Sequence, residues 1–325
     1  MASRPLPAGP KTLFITGGAG FIGSNLAEAL LARGDTVCVL DDFSTGKREN
    51  LAFVDARGFG NRFRLVEGDM RDMAMVVDAM AGVDVCFHEA ALGSVPKSVA
   101  DPLTTHDVNL NGHVNVLLAA RDAGVKRVVC AGSSSSYGDT PTLPKVETMP
   151  PLPLSPYAVT KYGQEIYCQV FTRVYGLETV VLRYFNIYGR RQDPYSQYSA
   201  VIPIFVKALL AGEPPTINGD GEQTRDFTYI DDCVQANLKA AAAAGVAGEV
   251  FNVATGQRVQ LLELYHLLSK LLDRDIPPHH GPARAGDIKH SLADIDKARH
   301  LLGYEPTYDI HAGLAEAIDW YRKYL

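Results

Sequence analysis

The stretch Lys11-Thr12-Leu13-Phe14-Ile15-Thr16-Gly17-Gly18-Ala19-Gly20-Phe21-Ile22-Gly23-Ser24-Asn25-Leu26-Ala27 decides the fold. Leu13-Phe14-Ile15 reads as a buried strand, the glycines as a tight turn, and Leu26, Ala27, Leu30 and Leu31 recur at helical spacing. Gly34-Asp35 ends the helix, and Thr36 to Leu40 forms a second apolar strand closing on Asp41-Asp42. Strand, glycine turn, helix and strand make one βαβ unit of parallel type. In a chain with 29 glycines, a G-x-G-x-x-G spacing alone says little. Between a strand and a helix it says more. Gly17, Gly20 and Gly23 then permit the tight turn, let backbone N–H groups approach a diphosphate, and aim the helix N-terminus at it. Asp41 stands where a carboxylate can accept both ribose hydroxyls and repel a 2′-phosphate, which favours NAD over NADP. Lys47 and Arg48 are nearby cations that could attract a phosphate. A Walker-A loop is excluded, because Arg48 follows Gly46-Lys47 and no glycine stands five residues before Gly46.

Outward from this unit the alternation continues. Strands are expected at Phe63 to Glu67, Val83 to His88 and Arg127 to Ala131, with helices at Met73 to Met80 and Val108 to Ala123. The predicted class is α/β, a Rossmann-type doubly wound parallel sheet of six or so such units with a smaller mixed α/β C-terminal substrate domain. From Asn186 the chain is richer in Tyr, Pro and Gly, which divides it into residues 1–185 and 186–325, with 228–256 returning to the first part. In the second part, helices are expected at Ile204 to Ala211, at Asp232 to Ala244 stopped by Gly245, at Asp294 to Leu302 and at Gly313 to Tyr324. Phe251-Asn252-Val253 reads as a strand.

Composition narrows the function. The 325 residues are 46% hydrophobic and 21% charged, with a net charge of −6, so no broad basic surface for nucleic acid is expected. No apolar stretch approaches the ~18 residues that span a bilayer. Cys38, Cys86, Cys130, Cys168 and Cys233 are odd in number and scattered, as expected of buried reduced thiols, and the first ten residues lack the apolar core of an export signal. A cytoplasmic protein is expected. No HExxH, CxxC or GxSxG occurs, and no metal is expected; His88 reads as structural.

Ser155-Pro156-Tyr157 offers an N-cap and a first-turn proline, placing Tyr157 and Lys161 on one face of a helix. An ammonium beside a phenol favours the phenolate, the form that a general base for alcohol oxidation needs. Among 15 tyrosines, chance alone supplies about one such pair, so the pair decides nothing by itself. Ser133-Ser134-Ser135-Ser136 strengthens it, because the run follows the strand Arg127 to Ala131, and open α/β sheets bind ligands at strand C-terminal ends.

Thr16 to Gly23, Asp41-Asp42-Phe43-Ser44-Thr45-Gly46, Tyr157-x-x-x-Lys161 and Arg183-Tyr184-Phe185-Asn186 together resemble the extended short-chain dehydrogenase/reductase superfamily, over almost the whole chain. Ala90 to Ser98, Leu154 to Lys161 and Gly189 to Pro194 are similar to bacterial UDP-N-acetylglucosamine 4-epimerases.

The resemblance implies a catalytic set of Ser133, Tyr157 and Lys161. Tyr157 takes the proton of the sugar 4-hydroxyl as the C4 hydride passes to NAD, Lys161 holds the nicotinamide ribose, and Ser133 bonds the 4-oxygen. The 4-keto sugar then turns over and receives the hydride on its other face. Cofactor contacts are implied for Gly17, Gly20, Phe21, Ile22, Gly23, Asp41 to Gly46, Asp69, Met70, Ala90, Ala91, Leu92 and Asn109, besides Tyr157 and Lys161. Asn186, Arg225, Arg284 and Asp287 are expected around the UDP, with Ser134 and Ser135 on the substrate side. Ser291 matches a position that is a large Tyr in glucose-only epimerases, so a small side chain leaves room for a 2-N-acetyl group beside Gly93, Ser94, Ala200 and Val201. The implied reaction interconverts UDP-GlcNAc and UDP-GalNAc, with UDP-Glc/UDP-Gal as a secondary pair and a homodimer built on the helices Val108 to Ala123 and Tyr157 to Tyr175.

Rival readings remain. Dehydratases and decarboxylases of the superfamily place acidic residues after the catalytic Ser or Thr, where this chain has Ser134 and Ser135. A UDP-glucuronate 4-epimerase shares the scaffold. A non-catalytic NAD-binding interaction protein belongs to another class and would usually lack the Tyr-Lys pair.

Overall fold

The computed structural model describes residues 11–193, 200–282 and 289–324. Seven strands form the central sheet: β1 (Thr12–Thr16), β2 (Thr36–Asp41), β3 (Phe63–Glu67), β4 (Val85–His88), β5 (Arg127–Ser133), β6 (Glu178–Tyr184) and β7 (Glu249–Val253). Their order is β7-β6-β5-β4-β1-β2-β3, and every pairing is parallel. The order reverses at β1 and β4, which opens a crevice at their C-terminal ends.

Alternation sorts the strand side chains onto two buried faces. Leu13, Ile15, Val39, Phe87, Val129 and Leu182 face α1 (Phe21–Arg33) and a later helix, while Phe14, Cys38, Cys86, Val128, Cys130 and Val181 face the opposite layer. That layer contains α2 (Met73–Met80), α3 (Gly112–Asp122) and α4 (Pro156–Tyr175). Asp72 caps α2 through Ala74 and Met75 N–H, and Ser155 caps α4 through Ala158 N–H.

Short helices Phe53–Ala56, Val95–Ala100 and Pro102–His106 precede α3, and the later helices are α5 (Val201–Ala211), α6 (Ile230–Ala242), α7 (Leu261–Leu272), Asp296–Leu302 and α8 (Ile310–Tyr324). Helix α6 packs on α1, and β7 pairs with β6. Three short strand pairs join Ile187–Tyr188 to Thr228–Tyr229, Thr224–Arg225 to Val259–Gln260, and Thr216–Asn218 to His279–Gly281.

Several boundaries differ from expectation. Helix α6 ends at Ala242, where Ala243 turns extended, two residues before the anticipated Gly245 stop. The expected helix from Val108 instead begins as a π-turn, Asp107–Asn111, that runs into α3. Helix α5 starts at Val201 rather than Ile204. All five cysteines are buried and free of disulfides. Among the described residues, no helix is long and apolar enough to cross a membrane.

Candidate active site

A cleft of about 970 Å³ opens along the C-terminal ends of β1, β2 and β4. Its floor is the glycine turn. Gly17 sits at φ +70°, and its N–H donates to Leu40 O at 2.8 Å. A Cβ on Gly23 would lie 2.2 Å from Gly17 O, and one on Gly17 would lie 2.8 Å from the Ala90 Cα. Only glycine allows this approach. No side chain caps α1, so its first amides remain for a ligand in a cleft that Gly20, Phe21, Ile22 and Gly23 line.

Asp41 organises the next wall. Its carboxylate accepts Ala19 N–H at 2.8 Å and Phe43 N–H at 2.9 Å. Burial pushes this carboxyl up, while the backbone N–H bonds pull it back. Two N–H donors leave acceptor capacity on the two oxygens for hydroxyl groups. Asp42 accepts Ser44 N–H and Oγ–H, which shapes the Asp42 to Gly46 loop. The basic neighbours are engaged elsewhere: Lys47 pairs with Asp193 at 2.7 Å, and Arg48 pairs with Glu67 and lies over the Phe43 ring. Asp69 and Met70 close this end, with Asp69 held by Arg71, whose guanidinium keeps its carboxyl low. The cradle, the open helix end and the carboxylate suit a dinucleotide.

At the other end, Ala90, Ala91, Leu92, Gly93 and Ser94 line the cleft. Asn109 does not line it. It bonds Leu92 N–H and O and the Thr160 hydroxyl, so it holds the loop against α4. Ser133, Tyr157 and Lys161 also stand off the cleft wall, at the end of β5 and in the first turns of α4. Ser133 Oγ bonds Ser135 Oγ at 2.8 Å within the turn Ser134–Tyr137. Lys161 is buried and donates to Ala131 O at 2.9 Å and Gln164 Oε1 at 3.0 Å, which uses two of its three N–H bonds. Tyr157 N–H donates to Ser98 Oγ, which ties α4 to the short helix Val95–Ala100 that follows β4.

The expected nucleotide-sugar residues converge on the segment Thr224 to Asp226. Asn186, at φ +38°, donates to Asp226 O; Arg225 donates to Thr224 O and Lys289 O; Ser291 N–H donates to Thr224 O. Ala200 caps α5 and Val201 opens it. Arg284 and Asp287 lie outside the described residues.

Sequence reading missed several buried polar groups. Asp226 is buried and accepts from Thr255 N–H and Oγ–H, Gly256 N–H and Ala293 N–H, binding three loops together. Its place in the motif beside Arg225 was the available signal. Arg183 and Glu165 form a buried bidentate pair, and Arg183 also lies over the Tyr137 ring. Glu89 follows β4 in the cleft wall. His88, His113 and Cys130 bring ligand-type atoms within 4.8 Å of one another. The two imidazoles are stacked at 5.0 Å with 29° between planes, so an ion cannot lie in both ring planes at bonding distance. His88 Nδ1 instead bonds the Thr16 hydroxyl at 2.7 Å.

A glycine-cradled crevice at the β1/β4 switch point, an Asp on β2 and a Tyr-Lys pair opening α4 define a Rossmann-type dinucleotide enzyme. The chain belongs to the NAD dependent epimerase/dehydratase family, whose pattern matches residues 13–254, and its cofactor is NAD. The UDP-glucose 4-epimerase of Mycolicibacterium smegmatis is 39% identical over 311 residues, covering 95% of this chain and 98% of the relative. A UDP-N-acetylglucosamine 4-epimerase from Methanobrevibacter ruminantium, solved with UDP-N-acetylmuramic acid, superimposes with a TM-score of 0.92 at 38% identity, over 97% of this chain and 99% of that one. A UDP-glucuronic acid 4-epimerase from Bacillus cereus, solved with NAD, gives a TM-score of 0.89 at 31% identity, over 97% and 100%.

Proposed function

We propose that this chain is an NAD-dependent UDP-sugar 4-epimerase that interconverts UDP-GlcNAc and UDP-GalNAc. The observation that carries the substrate reading is Ser291. It is a small, half-buried residue whose backbone is tied to Thr224 beside Arg225, and the family resemblance makes this the position where bulk would crowd a 2-N-acetyl group. The M. ruminantium relative supports this choice, whereas the M. smegmatis relative acts on UDP-glucose by its name.

In this reading Tyr157 removes the 4-hydroxyl proton and later returns one to the 4-oxygen. Ser133 orients that oxygen, and the third N–H bond of Lys161 serves the cofactor ribose. NAD, when bound, supplies a reversible hydride acceptor. Asn186, Arg225, Arg284 and Asp287 hold the diphosphate and nucleoside, with paired N–H donors on the arginines suited to phosphate oxygens. Firm hold on the nucleotide and loose hold on the sugar allow the 4-keto ring to turn over.

A second reading is UDP-glucuronate, which the B. cereus relative favours. Incubation with UDP-GlcNAc, UDP-Glc and UDP-GlcA separately, followed by detection of each C4 stereoisomer, tests both. UDP-GlcNAc should be fastest. Turnover of UDP-Glc at least roughly tenfold more efficient, or of UDP-GlcA alone, overturns the assignment.

We also propose a homodimer. Helix α4 exposes Val159, Ile166, Tyr167, Val170 and Val174, an apolar stripe at helical spacing that a second copy would cover through α3 and α4 of each subunit. Native sizing decides this.

A further inference from the structure

Glu89 is a carboxyl that the proposed reaction leaves without a role. It follows β4, which lies between β1 with its glycine turn and β5 with Ser133, and it lines the cleft beside Ala90. Its Oε1 accepts the Tyr184 hydroxyl at 3.0 Å, and that hydroxyl accepts Asn237 Nδ2 at 2.8 Å. Its Oε2 is buried and has no hydrogen-bond partner among the described residues. A charge on a buried carboxyl oxygen without a partner is costly, and a cationic group held nearby in the cleft offsets part of that cost through its field. Asp41 and Asp69 mark the adenosine end of that cleft, so the strand order puts Glu89 at the nicotinamide end.

We propose that Glu89 gives the cleft its preference for oxidised over reduced nicotinamide: its carboxylate, set in the wall between β1 and β5, favours the cationic ring of NAD⁺ over the neutral ring of NADH. The inference rests on the reading of the cleft given above and adds a determinant of cofactor redox state. A carboxylate in a site of low effective dielectric distinguishes a cation from a neutral ring strongly.

The preference should depend on pH. Burial raises the Glu89 carboxyl to about 7, against the lowering pull of the Tyr184 hydroxyl and the Lys161 ammonium. The titratable groups around it are Lys161 from α4, Tyr184 from β6 and Cys233 from α6, with Cys86 of β4 and Cys130 of β5 across the sheet. Burial pushes Tyr184, Cys233 and Cys86 far up, so these stay neutral. Cys130 points to the opposite sheet face, beside His113 and Cys168. The carboxylate therefore forms as pH rises through neutrality, and the preference for NAD⁺ rises with it.

The test equilibrates the purified protein with an equimolar mixture of NAD⁺ and NADH, without sugar, and quantifies the bound nucleotides. In the unmodified protein the bound NAD⁺/NADH ratio should rise roughly tenfold from about pH 6 to about pH 8. Glu89→Gln should hold the low ratio at both. Tyr184→Phe removes a bond that lowers the carboxyl and should move the midpoint upward. A ratio that ignores pH in the unmodified protein overturns the proposal, as does a Glu89→Gln protein with the unmodified ratio and pH dependence, or an unmoved Tyr184→Phe midpoint. If Glu89→Gln fails to fold, the unmodified protein and Tyr184→Phe still decide. Inactivity on all three UDP-sugars would defeat the substrate reading without touching this ratio.

Discussion

Asn109 grips Leu92 by both ends of its amide: Oδ1 accepts the Leu92 N–H at 2.8 Å, and Nδ2 donates to the Leu92 carbonyl at 3.3 Å. Asn109 sits in the π-turn Asp107–Asn111, and its backbone carbonyl accepts from Gln164 at 2.6 Å. The cofactor loop, α3 and α4 are thereby joined through one side chain. Asn109→Ala should weaken NAD binding roughly tenfold while the protein stays folded, as calorimetric titration would read. Unchanged affinity would mean that the loop holds its shape without Asn109.

Gly23→Ala should abolish tight NAD binding. The added Cβ would meet the Gly17 carbonyl at 2.2 Å, and backbone cannot swing aside as a flexible side chain can. Gly60→Ala is the control, since nothing lies within 4 Å of its added Cβ. Titration of both variants with NAD checks the contrast.

Tyr157→Phe removes one oxygen and leaves the start of α4 intact, because Tyr157 contributes its backbone N–H to Ser98 and its carbonyl to Thr160. The rate of C4 inversion should fall by about 10²–10⁴ with NAD still bound. Turnover assays and cofactor quantification on one preparation check this, and full activity would remove Tyr157 from the chemistry.

Glu165→Gln should destabilise the fold by about 3–5 kcal/mol in urea, because it leaves the Arg183 guanidinium without its counter-charge in the interior. Both side chains are nearly inaccessible, at 2% and 5%, so solvent cannot take the place of the partner. Replacing the pair together with apolar residues should cost less. Equal costs would show that the ion pair contributes no specific balance.

Glu89 also makes stability pH-dependent. Its folded value of about 7 exceeds the ordinary 4.5, so between these values the unfolded chain releases a proton that the folded chain keeps. Stability of the cofactor-free protein from this group is therefore present below about 4.5, is lost as pH rises toward 7, and does not return above it. Glu89→Gln should raise Tm at pH above 7 more than near pH 5, as melting curves would measure. An equal shift at both would exclude this carboxyl as the source.

The βαβ opening, the glycine cradle and the Asp41 position were readable from residues 11–42 alone, because their rules are local. Helix ends were less readable: a run of alanines favours helix without saying where it stops, and Ala243 leaves the helix before Gly245. Glu89 and Tyr184 are 95 residues apart, and Asp226 and Ala293 are 67 apart, so no window of sequence contains either pair.

The sequence by itself determined which side chains face inward, since periods of two and 3.6 residues encode burial in strands and helices. It also determined the chemical menu: a turn only glycine can make, a carboxylate for ribose, a phenol one helical turn from an ammonium. The tertiary structure alone decided which groups meet. Sheet order places the ends of β4, β5 and β6 side by side, which brings the Tyr184 hydroxyl to Glu89. It also turns Lys161 onto Ala131 and Asn109 onto Leu92. Such meetings depend on strand order and crossover packing, which arise from the summed burial of the whole chain rather than from any local pattern.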